Sequence, residues 1–399
     1  MIEIKGMHNT AIIYTDSIEP SAEEQIRELC DNPHFASSQI RIMPDVHAGK
    51  GCTIGTTMTL SDRVIPNMVG VDIGCGMETV QLVEKEIDLA RLDEAIHRHI
   101  PCGKEIRDTP HHFNDSIDLT RLRLDTFQHD RAQLSIGTLG GGNHFIEIDR
   151  DDDGNLYLVI HSGSRHLGTE VANGYQIAGV QAMLDDSKRQ ITELMEYLKS
   201  EGREVEIESA VKQARIHMAL PMHKDNAHVE GKVFDDYIHD MRITQAFAKR
   251  NREAIVDVIL RHAGLHPIDW FTTVHNYIDP VDMILRKGAV SARCGERLLI
   301  PMNMRDGSLL CMGLGNDEWN QSAPHGAGRI MSRAEANKRI FLDQFQSEMQ
   351  GIYSSSVSQS TVDEAPMAYK PMMGIIAHIG PTVCIEKILR PIYNFKAQT

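Results

Sequence analysis

The stretch from Val69 to Met77, Val-Gly-Val-Asp-Ile-Gly-Cys-Gly-Met, constrains this chain more than any other. A carboxylate, Asp72, and a thiol, Cys75, stand three positions apart among glycines. The Val-Gly-Val run reads as the end of a buried strand and the glycines after it as a tight turn. In such a turn backbone can approach a ligand closely and side chains can converge on an ion. Four histidine-bearing islands follow: Asn143-His144-Phe145, His161-Ser-Gly-Ser-Arg165, His275-Asn276-Tyr277 and His325-Gly326-Ala327-Gly328-Arg329. Islands spread this widely work together only if the whole chain folds as one body. The expectation is α/β (α+β): a single large domain over residues 1–399, with a glycine-rich strand-turn core carrying a metal site. Helices flank that core, with a largely helical excursion at about 175–265.

A chain of 399 residues can bury a large core, and 41% hydrophobic with 24% charged residues is ordinary for a globular protein. No run approaches the ~18 apolar residues of a membrane span, and the N-terminus lacks a signal-peptide pattern. Seven cysteines at scattered positions do not form a disulfide framework, so a reducing cytoplasm is expected. A formal charge of −15 argues against broad nonspecific nucleic-acid binding. Between Arg286 and Arg339, however, nine Lys/Arg face five Asp/Glu, a net of +4 that leaves −19 elsewhere. A basic zone there suits a phosphate-bearing substrate; ordinary surface charge is the bland alternative.

Periodicity predicts helices over Ala22–Cys30, Glu86–His99, 175–200, 233–263 and Ser332–Met349, and strands at Phe145–Ile148 and Tyr157–Ile160. The residues of 233–263 read as packing positions without chemistry, and 201–232 as a charged, irregular excursion.

Carboxylate, thiolate and imidazole together suit a borderline divalent ion such as Mn, Zn, Co or Ni. Asp72, Cys75, His144, His161 and His275 supply enough ligands for two ions, and a lone Cys among several His invites bridging. A capping Asp and a buried Cys are the plainer alternative. The absence of any CxxC pair excludes zinc fingers. His325 differs, because small residues and a helix lead-in make an anion pocket to which Arg329 and Arg333 add bidentate phosphate contacts. An imidazole there can serve as general acid/base, as a nucleophile forming a phosphoramide, or merely as a helix cap. No GxxxxGK[ST], no Lys-x-Asp-Gly and no Gly-x-Ser-x-Gly occurs.

In order along the chain, MPDVHAGKG (43–51), VGVDIGCGM (69–77), GTLGGGNHFIEI (137–148), HSGSR (161–165), HNY (275–277), RKGAVSAR (286–293), GLGN (313–316), HGAGR (325–329), MSR (331–333) and EAPMAYK (364–370) resemble the motifs of the RtcB family of GTP-dependent RNA ligases. The resemblance implies a distinctive αβ fold and two Mn2+ ions. Cys75 would bridge them, with Asp72 and His144 completing one site and His161 and His275 the other. It implies that His325, oriented by Asp45, attacks the α-phosphate of GTP. Asn143, Phe145, Glu147, Asn303, Gly326, Ala327, Tyr369 and Lys396 would hold the nucleotide, and Arg165, Arg329 and Arg333 RNA phosphates. The implied substrate is RNA with a 3′-phosphate or 2′,3′-cyclic phosphate end and a 5′-hydroxyl end, in repair or tRNA splicing. Two departures stand out: Pro301-Met302-Asn303-Met304-Arg305 where the family commonly has Pro-Gly-Ser-Met-Gly, and an ending in Phe395-Lys396-Ala-Gln-Thr399 where it usually has Lys-Gly. A dinuclear metallo-phosphoesterase that never joins ends, and a silent RNA-end binder, are the rival readings.

Overall fold

The computed structural model describes residues 1–219 and 224–397. Its centre is a seven-stranded antiparallel sheet in the order Pro267–Val274, Gly76–Leu82, Leu156–Ser162, Phe145–Arg150, Val383–Lys396, Gly307–Gly313, Arg297–Asn303. The sheet rolls up until its two edges meet: the Leu299 N–H donates to Thr273 Oγ1 at 3.2 Å and Arg297 pairs with Asp269. Its inner face carries Met77, Phe145, Tyr157, Val159, Leu299, Leu310 and Leu389. The outer face packs Val80, Ile146, Ile148, Leu158 and Ile160 against Leu92, Ile96, Ile255 and Ile259 of two helices, Leu89–His99 and Gly231–Ala263. Alternation of the strand side chains produces both faces.

A second sheet of six strands runs Ile2–Lys5, Thr10–Ile13, Ile40–His47, Ile54–Thr59, Ile284–Lys287, Asn276–Ile278. The chain passes from one sheet to the other at His275, between Pro267–Val274 and Asn276–Ile278. That seam is where the histidine islands gather.

Several expectations shift in detail. Val69-Gly70-Val71 is not a strand end; Pro66–Met68 is a 3-10 turn, and the strand begins only at Gly76. Left-handed backbone at Gly70 (φ 94°) and Gly74 (φ 75°) makes 70–75 a loop that feeds a strand instead of leaving one. The helix expected from 175 runs Arg165–Ser200, because Gly168 and Gly174 dilute the apolar period of its first turns. Gly168 is there for close packing, since a Cβ would meet the Val71 carbonyl at 3.0 Å and fall on Ser164 Oγ. The excursion 201–232 contains a helix, Ile207–Ala219, and residues 220–223 of it lie outside the described residues. The helix expected over Ser332–Met349 is two, Arg333–Arg339 and Leu342–Glu348, parted where Ile340 turns extended and buries its side chain beside Phe345. His325 therefore lies in a turn eight residues ahead of a short helix, and its small neighbours do not form a helix N-terminus.

Candidate active site

The loop bearing Asp72 and Cys75 is stitched to the seam through backbone. The Gly74 N–H donates to Asn276 O at 2.7 Å, and the His275 N–H to Cys75 O at 2.9 Å. Two adjacent residues of the helix Gly231–Ala263 complete the stitching. Arg252, wholly buried, donates to Gly74 O (2.9 Å), Ser162 O (3.2 Å) and Thr272 Oγ1 (2.9 Å). Asn251 donates to Thr138 O (3.1 Å), Ser162 Oγ (3.0 Å) and Gly163 O (3.0 Å), and accepts from the N–H groups of Gly137 and Thr138. These two side chains hold the Asp72, His144 and His161 segments in register. Sequence reading gave this helix no chemistry, and an Asn-Arg pair inside an apolar period was the signal available.

Five side chains converge there. His144 Nδ1 lies 2.8 Å from Leu139 O and His161 Nδ1 3.1 Å from Asn143 O. A carbonyl only accepts, so both rings carry their proton on Nδ1 and turn an Nε2 lone pair inward. Those lone pairs meet Cys75 Sγ at 3.5 and 3.2 Å; His144 Nε2 is 3.0 Å from Asp72 Oδ2, and His161 Nε2 is 3.3 Å from His275 Nε2. The single thiol proton can satisfy only one of these contacts, so the donor set fits a cation in their midst. Cys75, His144 and His161 form the candidate metal cluster, all three buried. Burial, then neighbouring imidazoles, holds His161 and His275 well below their ordinary pKa, leaving neutral ligands. Burial and then the Asp72 charge push the Cys75 thiol well up, a cost that a bound cation reverses. Asp72 goes the other way: burial opposes ionisation, but without a metal a His144 that also takes a proton on Nε2, and then the Cys75 thiol, hold its carboxyl at about 2, a place that a bound cation would take over. No side chain fits at Gly163, where a Cβ would fall on the Asp72 carboxylate.

His325 stands beside this cluster, its ring centroid 5.0 Å from that of His275. Its Nδ1 is 2.6 Å from Asp45 Oδ2 on the strand Ile40–His47, so a buried carboxylate orients the ring with Nε2 free. Gly288, at φ 58°, leaves room for it; a Cβ would press on the imidazole at 3.2 Å. A cavity of about 340 Å³ opens in front. Asp72, Cys75, His161 and His275 form part of its lining, as do His325, Gly326, Ala327, Asn143, Phe145, Glu147, Asn303, Tyr369, Lys396, Arg329 and Arg333. Asn303 spends its side chain on its own turn, donating to Asp306 and accepting from the N–H groups of Arg305 and Asp306. His47, Met302, Met304, Glu364 and Asn394 also line the cavity and were not singled out from sequence. Of these, His47 and Glu364 lay inside quoted motifs and Met302 and Met304 inside the departing stretch Pro301–Arg305, so Asn394 alone lay outside every quoted stretch.

The wall opposite the cluster is a closed ion network. Glu364 accepts from Lys396 Nζ and from the Tyr369 hydroxyl, both at 2.7 Å, and pairs with Arg333 at 2.6 Å and Arg329 at 3.3 Å. Burial works against its charge, but Lys396 and Arg333 hold its carboxyl at about 2. Most of the basic zone is spent elsewhere: Arg286 and Arg293 on Asp279, Arg297 on Asp269, Arg305 on Asp306 and Glu348. Only Arg329 and Arg333 of that zone reach the cavity. Arg165 lies apart from it, with Lys104, Arg131 and His166 in a second cavity of about 280 Å³ that shares Asp72 with the first. Another trio, His111, His112 and Asp257, has metal-like spacing. There, however, His111 Nδ1 accepts the Phe113 N–H at 3.3 Å, so Nε2 keeps its proton toward Asp257 instead of offering a lone pair.

No helix among the described residues is long and apolar enough to cross a membrane. The family model described as tRNA-splicing ligase RtcB matches residues 25–127 and 114–397. The chain is 30% identical over 419 residues to the RNA-splicing ligase RtcB of Escherichia coli (strain K12), covering 95% of each. It is 24% identical to the tRNA-splicing ligase RtcB of Aeropyrum pernix, over 97% of this chain and 95% of that one. It is 23% identical to the RNA-splicing ligase RtcB homolog 1 of Entamoeba histolytica, over 84% and 75%. With the motifs in order, the islands gathered at one seam and the match running nearly end to end, the chain belongs to the RtcB family.

Proposed function

We propose that the protein is a GTP- and Mn2+-dependent RNA ligase that joins 3′-phosphate or 2′,3′-cyclic phosphate ends to 5′-hydroxyl ends, in RNA repair or tRNA splicing. The observation that carries this reading is His325, oriented by Asp45 and set beside the metal cluster with its free nitrogen in a cavity of about 340 Å³. Asp45 on the far side of the ring would stabilise the positive charge that grows when Nε2 attacks phosphorus. In that attack the Nε2–P bond forms, the bond from the α-phosphorus to pyrophosphate breaks, and the imidazole carries GMP. The RNA 3′-phosphate then takes the GMP from His325, and the 5′-hydroxyl displaces GMP to leave a phosphodiester.

Asp72, Cys75, His144, His161 and His275 would hold two Mn2+ ions, which supply positive charge against the reacting phosphates. In this reading Glu147 accepts from guanine N1–H and N2–H. Phe145 and Tyr369 flank the base; Lys396, Asn143, Asn303 and the backbone of Gly326 and Ala327 complete the nucleotide site. Arg329 and Arg333 face RNA phosphates from the cavity, and Arg165 does so from the adjoining one. Residues 1–399 then act as one domain whose helical excursion at about 175–265 supplies Asn251 and Arg252 as struts. Seven free thiols support a cytoplasmic setting. An RNA with a 3′-phosphate and a 5′-hydroxyl should be sealed only when GTP and Mn2+ are both present. Release of the terminal phosphate without joining would replace this reading with the metallo-phosphoesterase.

A further inference from the structure

The strand Phe145–Arg150 points Phe145, Glu147 and Asp149 into the rolled sheet, since alternate residues share a face. Glu147 stands opposite Val159 and Asn394, and Asn394 Nδ2 donates to its Oε1 at 2.6 Å. Two residues deeper, Asp149 stands opposite Tyr157 and Pro391 with no exposed surface at all, and neither of its carboxyl oxygens has a protein partner among the described residues. The layer below offers it nothing: the Tyr157 hydroxyl and Lys387 are both spent on Asp151. From the strands across the interior come only uncharged groups, Thr79 Oγ1 and Ser308 Oγ, themselves without partners, and Asn394 Oδ1. The cation of this interior is Lys396, on Glu147's side and shared with Glu364.

Two carboxyl groups two residues apart on one face of a strand, both buried, do not readily both ionise. Burial, then Glu147, keeps Asp149 protonated far above the usual carboxylate range; burial lifts Glu147 only to about 7, with Asn394 and Lys396 opposing. The charge therefore belongs on the upper group and the proton on the lower.

We propose that Asp149 is a positioning residue for the base-reading carboxylate: it retains the proton of the pair and offers it toward Glu147, so that Glu147 faces the cavity as an anion. This rests on the reading of Glu147 as the acceptor for guanine. An ionised Glu147 accepts two hydrogen bonds from guanine, whereas a protonated one presents a donor that tolerates adenine, so the lower residue governs purine choice. Asn at 149 keeps a donor of the same shape; Leu keeps the size and removes the donor.

The test follows labelling of His325 by GTP and by ATP from pH 5.5 to 8.5, in wild type, Asp149→Asn and Asp149→Leu, with Mn2+ present. In wild type KM for GTP rises as pH falls through about 7. Asp149→Asn keeps that profile. Asp149→Leu moves the rise upward by about one pH unit, which is about a fivefold higher KM for GTP at pH 7 and approaches tenfold toward pH 5.5, and narrows the preference over ATP. The Mn2+-induced rise in Tm stays at the wild-type size in both variants, since Asp149 is not among the metal-holding residues, which separates base reading from misfolding. A profile unchanged in Asp149→Leu, or Asp149→Asn as impaired as Asp149→Leu, overturns the inference alone. Failure of wild type to label with any nucleotide at any pH sinks the ligase reading and this inference with it.

Discussion

On one side of the cavity Asp72, Cys75, His144, His161 and His275 turn lone pairs toward one another across 3.0–3.5 Å. On the other, Glu364, Lys396, Arg329, Arg333 and Tyr369 close a network in which each charge meets an opposite one. The first wall is electrostatically unfinished and needs a cation; the second is internally paired but keeps more positive than negative charge, which suits a phosphate-bearing ligand. The difference lies in how each is held. The metal wall borrows its rigidity from backbone carbonyls and from two side chains of one helix, Asn251 and Arg252. The ion network supplies its own. A site built this way ties metal affinity to the packing of the seam and leaves the wall proposed for the nucleotide preorganised.

The sharpest way to break that contrast is to take one residue from the metal wall. Cys75→Ala should cost at least about 10³-fold in His325 labelling, since the metal ions of the proposed site would lose a thiolate ligand. Arg333→Lys on the opposite wall should cost only a few-fold, because Glu364 keeps Lys396. Next comes the strut. Arg252→Met leaves Glu78 and two carbonyls without their cation and should destabilise the protein by about 3–5 kcal/mol in chemical denaturation.

Metal addition comes third. Mn2+ at a hundred times its Kd should add ~2.7 kcal/mol, seen as a raised Tm, and Cys75→Ala should abolish most of the rise. Glu364→Gln should leave the rise intact, because that residue belongs to the other wall. The smallest expected effect is a pH signature. The folded pKa values of His161 and His275 are depressed below those of the unfolded chain, so their contribution is present above about 6.5 and is lost as pH falls. The metal-free protein should therefore lose Tm below that pH, and metal-loaded protein should lose less until protons displace the ion.

The residues that gather at the seam were legible in the sequence because their company is unusual: His144 beside Asn143 among glycines, His325 among small residues, Asp72 and Cys75 in one turn. The order of the motifs fixed the family. What escaped was of two kinds. Local backbone was misjudged where glycines hide period or direction, at 69–75 and at the start of the helix Arg165–Ser200. Partners supplied from distant segments escaped altogether, because Asn251 and Arg252 on a helix and Asn394 on a strand matter through what the fold brings to them. Arg286, Arg293, Arg297 and Arg305 show the converse, since a local excess of positive charge dissolved into ion pairs with acids from other segments.

The claim on which everything turns is that the imidazole at 325 takes GMP while the neighbouring wall holds metal. Incubation with Mn2+ and α-labelled GTP, followed by peptide mapping at alkaline pH and acid treatment of a parallel sample, tests it most directly. An acid-labile label on His325, absent from His325→Ala, is the result expected. Full labelling of His325→Ala, or none of wild type under any divalent ion, would contradict it.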